Sequence, residues 1–283
     1  MKKDYLKYIF SLLLFGSNGI VASFIKLNSY EIVFCRTLTG GLLLLLIFLL
    51  SRGKFTFYKH KKDFAFLAIS GVSMGASWMF LYEAYARVGV SVASLCYYCG
   101  PVFVMALSPI IFKEKLTFEK VFGFIAVFIG IFFINGGGVI KDKFGFFCGL
   151  LSAVTYALMV IFNKKAISIN GLENSALQLV VAFITTAVFV ALKQGLEINI
   201  SKSSIIPLLV LGIIITGLGC YLYFSAIGKI PAQTVAVCGY SEALSAVVFS
   251  AVFLKESLSA LQIAGALLII GGAVFSNLFH RKT

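Results

Sequence analysis

Long apolar runs broken by short polar segments recur along the whole chain, at 6–26, 30–50, 64–86, 91–112, 120–136, 144–162, 172–192, 204–227, 231–254 and 260–279. Each is near the roughly 20 residues a helix needs to cross a hydrocarbon core about 30 Å thick. The breaks are rich in turn formers and charge, as in RGKFTFYKHKKD (52–63), NGGGVIKDK (135–143), NKKAISINGLEN (163–174) and KQGLEINISKSS (193–204). Within lipid a chain must satisfy its backbone internally, so runs of this length are helices. A membrane β-barrel would show alternating segments of about 10 residues instead, and none is visible. The pattern predicts an all-α integral membrane protein with ten transmembrane helices.

Composition removes the soluble alternatives. The chain is 60% hydrophobic and 12% charged, against about 45–50% and 25% in soluble domains. Its formal net charge of +13 would suit nucleic acid if it were clustered on a soluble surface. It is instead sorted between loops. With the N-terminus inside, the inner side collects sixteen Lys and Arg residues, including Lys2, Lys3, Lys7, the 52–62 cluster, Lys164, Lys165 and Lys229, against seven outside, among them Arg87, Lys141, Lys193 and Lys255. This is the positive-inside bias, and attraction to anionic lipid accounts for the excess. Both termini are expected in the cytoplasm, in the inner (plasma) membrane, with membrane lipids as partners and no nucleic acid. The first apolar run is read as a retained helix rather than a cleaved leader. All six cysteines lie in apolar runs. Cys96 and Cys99 form a C-x-x-C with no second ligand pair, so packing is expected and no metal or cofactor.

Shifted by 142 residues, the chain matches itself without gaps from Gly75 to Asn135. Gly75 falls on Gly217, Ala84 on Ala226, Cys96 on Cys238, Tyr98 on Tyr240, Lys113-Glu114 on Lys255-Glu256, Leu116 on Leu258, Gly123 on Gly265, Gly130 on Gly272 and Asn135 on Asn277. Glu31 still meets Glu173. Two repeats result, 1–139 and 140–283. Each holds five helices, and because five is odd the second enters the membrane upside down. Inverted repeats are a recurring design of secondary transporters.

The stretches YEAYARVGVSVASLCYYCGPVFVMALSPIIFKEKLTFEKVFGFIAVFIGIFFI and YFSAIGKIPAQTVAVCGYSEALSAVVFSAVFLKESLSALQIAGALLIIGGAVF carry a family resemblance. Each has an alanine near a helix end, a short turn, a long helix ending in Glu-x-Leu, and a glycine-spaced helix. The pattern resembles the drug/metabolite transporter superfamily, and within it the EamA family. The resemblance covers essentially the whole chain and implies a ten-helix transporter of small metabolites. It also implies that a glutamate at the position of Glu242 is a common feature, often followed by proline; Ala243 departs from that.

Glu242 lies about eleven residues into its run, near the bilayer midplane at about 1.5 Å per residue. A charge there costs about 2.5–3.5 kcal/mol on insertion scales, so it must face the protein interior or a cavity. Cys238, Ser241, Glu242 and Ser245 fall on one helical stripe. Glu242 either glues two helices or binds a cationic group or proton. Its repeat partner is Gly100, followed by Pro101; with Pro109 this proline is expected to kink the fourth helix. Glu83 pairs either with Arg87, four residues on, or with Arg36 across helices. Arg36 could also take a substrate carboxylate, which guanidinium matches bidentately. Trp78, Tyr82 and Tyr85 share a face, and Tyr97, Tyr98, Tyr156, Tyr221, Tyr223 and Tyr240 crowd neighbouring runs. Tyr98, Tyr156 and Tyr240 are deeper than an interfacial belt requires, so they either pack the core or cradle an aromatic or cationic ligand. Asn18 and Gln178 are further deep polar groups. The candidate substrate-binding set is therefore Asn18, Arg36, Trp78, Tyr82, Glu83, Tyr98, Tyr156, Gln178, Tyr240 and Glu242. Glu114 and Glu256 are expected to fix interhelical turns, and Ser259 with Gln262 to form a capping box.

These features predict a secondary transporter working by alternating access. Its substrate is a small molecule, expected to be an amino acid or related amine or zwitterion moving outward; uptake of a choline-like cation is the alternative. A channel or membrane assembly partner is the reading from another class. No phosphate-binding G-x-x-x-x-G-K-[ST] occurs, so an ion or substrate gradient would drive it, with Glu242 and Glu83 as proton sites. The only histidines, His60 and His280, lie in basic loops or termini, and no enzyme is expected.

Overall fold

The structure is a computed structural model that describes residues 2–135, 142–196, 198, 200–253 and 260–278. Among the described residues there is no strand. The predicted first helix is two pieces, α1 (Lys2–Gly16) and α2 (Asn18–Ser23), separated at Ser17, whose hydroxyl donates back to Leu14 O at 2.6 Å. There follow α3 (Ser29–Leu50), α4 (Lys61–Tyr97), α5 (Gly100–Phe112), α6 (Phe118–Asn135), α7 (Lys143–Lys165) and α8 (Gly171–Lys193). The eighth predicted run holds α9 (Lys202–Leu209), a π-helical segment (Val210–Leu218) and α10 (Gly219–Ile227). α11 (Ala232–Gly239), α12 (Ser241–Phe253) and α13 (Ala260–Leu278) complete the fold. Among the described residues six helical stretches, Lys3–Ser23, Ser29–Leu50, Lys61–Val88, Lys143–Lys165, Gly171–Gln194 and Lys202–Ile227, are long and apolar enough to cross a membrane, and α5 is a shorter apolar helix.

Local chemistry explains the ends. Asn28 and Glu31 form a reciprocal capping box on α3 (3.0 and 2.9 Å), which satisfies N–H groups that the helix leaves unpaired. The Asp142 side chain caps α7 by accepting from Phe144 N and Gly145 N. Those bonds, the one to Gly145 foremost, and the nearby Arg87 hold its carboxyl below the usual range. Glu256, Lys255, Leu258 and the Ser259 cap lie outside the described residues, as does the 136–141 turn.

Two predicted spans, 64–86 and the start of 91–112, fall within α4. Its backbone turns run unbroken from Lys61 to Tyr97, yet the chain folds back. A Cβ placed on Gly149 would lie 2.8 Å from Cys96 Cβ and 3.8 Å from Ala84 Cβ, and the Tyr85 and Ser94 hydroxyls are 3.4 Å apart. A straight helix would separate residues 84 and 96 by about 18 Å. In the repeat register Pro231 stands opposite Gly89. Proline has no N–H to donate, so the second copy of this reversal opens into a break between α10 and α11. The chain breaks again at Tyr98–Cys99 and at Tyr240, positions 142 apart. This corrects the expected kink: Pro101 begins a new helix, in its first turn, and of these two prolines Pro109 alone lies inside one.

α4 packs along α7, α3 and α4 against α8, α1 against α10 and α12, α3 against the π segment, and α6 along α13. The last contact is reciprocal. A Cβ on Gly130 would come 2.5 Å from Gly265 O, and one on Gly272 2.5 Å from Gly123 O. Those glycines are the repeat pairs, and mutual contacts of this form are the pattern of a two-fold relation. The Tyr240 hydroxyl donates to the carbonyl of its repeat partner Tyr98 at 2.9 Å. The central core joins Tyr8, Leu12, Met74, Tyr156, Leu179 and Tyr223. Outward-facing Leu42, Leu46, Leu50, Ile184, Val188 and Leu192 are exposed, a surface suited to lipid rather than water.

Candidate functional site

Two adjoining cavities lie where α1, α2, α3, α4, α7, the π segment, α10 and α12 converge. The larger, about 370 Å³, includes Gly19, Ala22, Tyr82, Tyr85, Ser94 and Tyr98. The smaller, about 50 Å³, continues to Met74, Ser77, Tyr156, Met159, Tyr223 and Phe224. Phe15, Asn18, Arg36, Trp78, Tyr97 and Glu242 line both. The larger volume is in the range of small-molecule sites, about 300–1,000 Å³.

Arg36 is 4% exposed. Its Nε donates to Thr216 Oγ1 at 3.0 Å, and its guanidinium lies 4.8 Å from the centre of the Trp78 ring. Neither Nη group has a protein acceptor among the described residues. Glu242 is not in the middle of a long helix, as its run suggested. The break at Tyr240 places it in the first turn of α12, where the helix N-terminus favours a carboxylate. The expected stripe of Cys238, Ser241, Glu242 and Ser245 is interrupted there, because α11 ends at Gly239. Among the described residues the Glu242 carboxylate has neither hydrogen bond nor ion pair, and it forms none with Arg36. The Asn18 Oδ1 atom is buried without a partner. The walls are aromatic. Tyr97 meets Tyr156 edge-on at 5.4 Å, Tyr82 meets Tyr85 likewise at 5.4 Å, and the Tyr156 and Tyr223 hydroxyls are 3.4 Å apart.

Seven of the ten candidates thus share the cavities: Asn18, Arg36, Trp78, Tyr82, Tyr98, Tyr156 and Glu242. Three do not line them. Glu83 is buried against the Tyr30 hydroxyl, Arg87 Nε (2.7 Å) and Lys193 Nζ (3.0 Å), and Arg87 continues to Asp142 at 3.3 Å. Of the two partners considered for Glu83, the structure joins the one four residues along its own helix. Gln178 donates to Ser70 Oγ at 2.8 Å and accepts from Asn163 at 3.3 Å, tying α4, α7 and α8 together. Tyr240 is fully buried and held by its bond to Tyr98. Phe15, Ser77 and Thr216 are cavity or near-cavity residues that sequence reasoning missed. Phe15 sits among similar apolar residues, and nothing local distinguishes Thr216 from other helical threonines.

At the end of the bundle that carries the N-terminus, three polar ties close the fold. Glu114 accepts from Ala232 N at 2.7 Å and Gln233 N at 3.1 Å. It therefore caps α11 in the other half of the chain instead of fixing its own turn, as was expected. Lys164 Nζ donates to the carbonyls of Ile227 (2.9 Å) and Ile230, and Lys229 pairs with Asp4 at 3.7 Å.

A bundle of apolar helices around a polar-tipped aromatic cavity is the architecture of a membrane protein that handles a small solute. The EamA-like transporter family model matches residues 3–136 and again 143–278, and the chain belongs to that family. It is a transporter, a multi-pass protein of the inner (plasma) membrane, in contact with membrane lipid and acting on a small molecule. It is 26% identical to "Uncharacterized transporter YxxF" of Bacillus subtilis over 94% of this chain and 87% of that protein. It is 29% identical to a "Probable amino-acid metabolite efflux pump" of Salmonella typhimurium over 66% of this chain and 67% of that one. A solved crystal structure superimposes with a TM-score of 0.83 at 15% identity, covering 98% of each chain, a likeness of fold.

Proposed function

We propose that the protein is a secondary transporter that works by alternating access and exports an amino acid or related zwitterion. Its ten transmembrane helices form two inverted repeats, 1–139 and 140–283, with both termini in the cytoplasm. The reciprocal glycine contacts of α6 and α13 support the inverted relation. The observation that carries the substrate class is an arginine and a glutamate lining one cavity, neither of which is ion-paired among the described residues. Leaving opposite charges unpaired in a low-dielectric site is costly, and a zwitterion satisfies both. Its carboxylate takes the Arg36 Nη edge and its ammonium takes Glu242, with Trp78 and the tyrosines enclosing the side chain. A choline-like cation suits the aromatics and Glu242, but it would leave Arg36 facing a like charge. Tyr82, Ser94 and Ala22 line the larger cavity towards the helix ends away from the N-terminal ties, the outer side in the proposed topology.

Counterflow in proteoliposomes tests the proposal. Unlabelled amino acid on one side should accelerate entry of labelled amino acid from the other, and Glu242→Gln should weaken that exchange at least tenfold. A flux that is unaffected by substrate on the far side would indicate a channel. Movement of choline without any amino acid would overturn the substrate class.

A further inference from the structure

The π-helical segment Val210–Leu218 has no counterpart in the first half of the chain, where the matching residues lie in α4. π-turns are rare and gather at functional sites. Thr216 shows what this one does. Helical threonines return their hydroxyl to a carbonyl three or four residues back, and Thr37, Thr39 and Thr155 do so here. Thr216 instead donates to Leu211 O, five residues back, at 2.8 Å. That widened register commits the hydroxyl proton and leaves a lone pair for Arg36 Nε at 3.0 Å. The approach needs a glycine on the facing helix. Gly40, one turn beyond Arg36, would place a Cβ 3.1 Å from Thr216 Cγ2 and 2.9 Å from Gly212 O. Thr216 is fully buried, and Trp78 covers the guanidinium at 4.8 Å.

We infer that the π segment is a positioning device, in which Thr216 and Trp78 fix Arg36 so that both Nη groups are presented to a substrate carboxylate. The inference rests on the zwitterion proposal for the substrate, but its structural half stands apart. Guanidinium carries five N–H donors. With Nε–H held by Thr216, the four Nη hydrogens are left as the fork that receives a carboxylate edge-on. Thr216 is a positioning residue that sets selectivity for the carboxylate and does not itself touch substrate.

Trp78 is the only tryptophan, so its emission reports on the guanidinium above it. The test compares wild type, Thr216→Val and Thr216→Ser, purified as full chains and titrated with L-leucine, leucinamide and 3-methylbutylamine. Wild type should bind leucine at least about tenfold more tightly than the two probes that lack a carboxylate. Thr216→Val should shift the ligand-free emission and reduce that preference to about threefold or less, and Thr216→Ser should restore both. If Thr216→Val keeps the wild-type emission and preference, the positioning role falls while the zwitterion proposal stands. If no probe moves the wild-type emission but Thr216→Val alone shifts it, positioning stands and the zwitterion proposal falls. If neither a probe nor Thr216→Val moves the emission, both fall.

Discussion

Glu114→Ala removes the side chain that caps α11 from the opposite half of the chain. Two backbone donors, Ala232 N and Gln233 N, lose charged acceptors at 2.7 and 3.1 Å, and both residues are buried. A hydrogen bond to a charged group contributes about 1.5–3 kcal/mol, and loss of a helix cap costs about 0.5–2 kcal/mol. Glu114 is half-buried, and water can replace part of the loss, so about 2 kcal/mol is the reasonable figure. If the cap exists only while the N-terminal end is closed, that end opens about thirtyfold more often, because about 1.4 kcal/mol is a factor of ten. The assay is labelling of Ala236→Cys, a residue 1% exposed on α11, by a membrane-impermeant maleimide in a background without the six native cysteines. The labelling rate should rise by about an order of magnitude or more in Glu114→Ala. Glu114→Gln, which keeps acceptor oxygen but loses charge, should fall between. An unchanged rate with an unchanged melting temperature would show that the cap neither holds this end shut nor stabilises the fold.

Other consequences follow from particular contacts. Gly130→Ala and Gly272→Ala should each lower the melting temperature by a similar amount, about 1–3 kcal/mol of overpacking, because each new methyl meets a backbone carbonyl at 2.5 Å; a large inequality would argue against the reciprocal contact. Gln178→Leu leaves Ser70 and Asn163 short of partners and should cost about 1–3 kcal/mol in thermal unfolding, while leaving the affinity of the cavity for its ligand unchanged. The Asp142 cap is strongest with the carboxylate ionised, and its folded pKa is lowered. Its contribution is therefore complete above the ordinary aspartate range and is lost as pH falls through the folded value. The stability difference between wild type and Asp142→Asn should shrink on acidification, read from melts at pH 7 and pH 3.

Much of the site could be read in the sequence because a charged or aromatic residue in an apolar run is conspicuous. Arg36, Glu242, Asn18, Trp78 and Tyr156 were found in that way. The same rule also selected Glu83 and Gln178, which bond to partners on α3, α4, α7 and α8 and do not reach the cavity. Depth along a helix is legible in a sequence, but the neighbour that a side chain faces is not. Phe15 and Thr216 show the reverse failure, since neither is unusual until the chain breaks at Ser17 or adopts a π turn.

The sequence alone determined a membrane protein of repeated halves, because crossing a hydrocarbon core demands long apolar runs and a 142-residue self-match survives in one register. It also determined the family, through motifs spread over both halves. Tertiary structure decided where the fourth helices of the two halves break, and so that Glu242 begins a helix instead of interrupting one. It decided that Glu114 works on the opposite half of the chain, and that the π segment turns Thr216 towards Arg36. These depend on which surfaces meet, and contacts between residues more than a hundred positions apart leave no local trace in the order of amino acids.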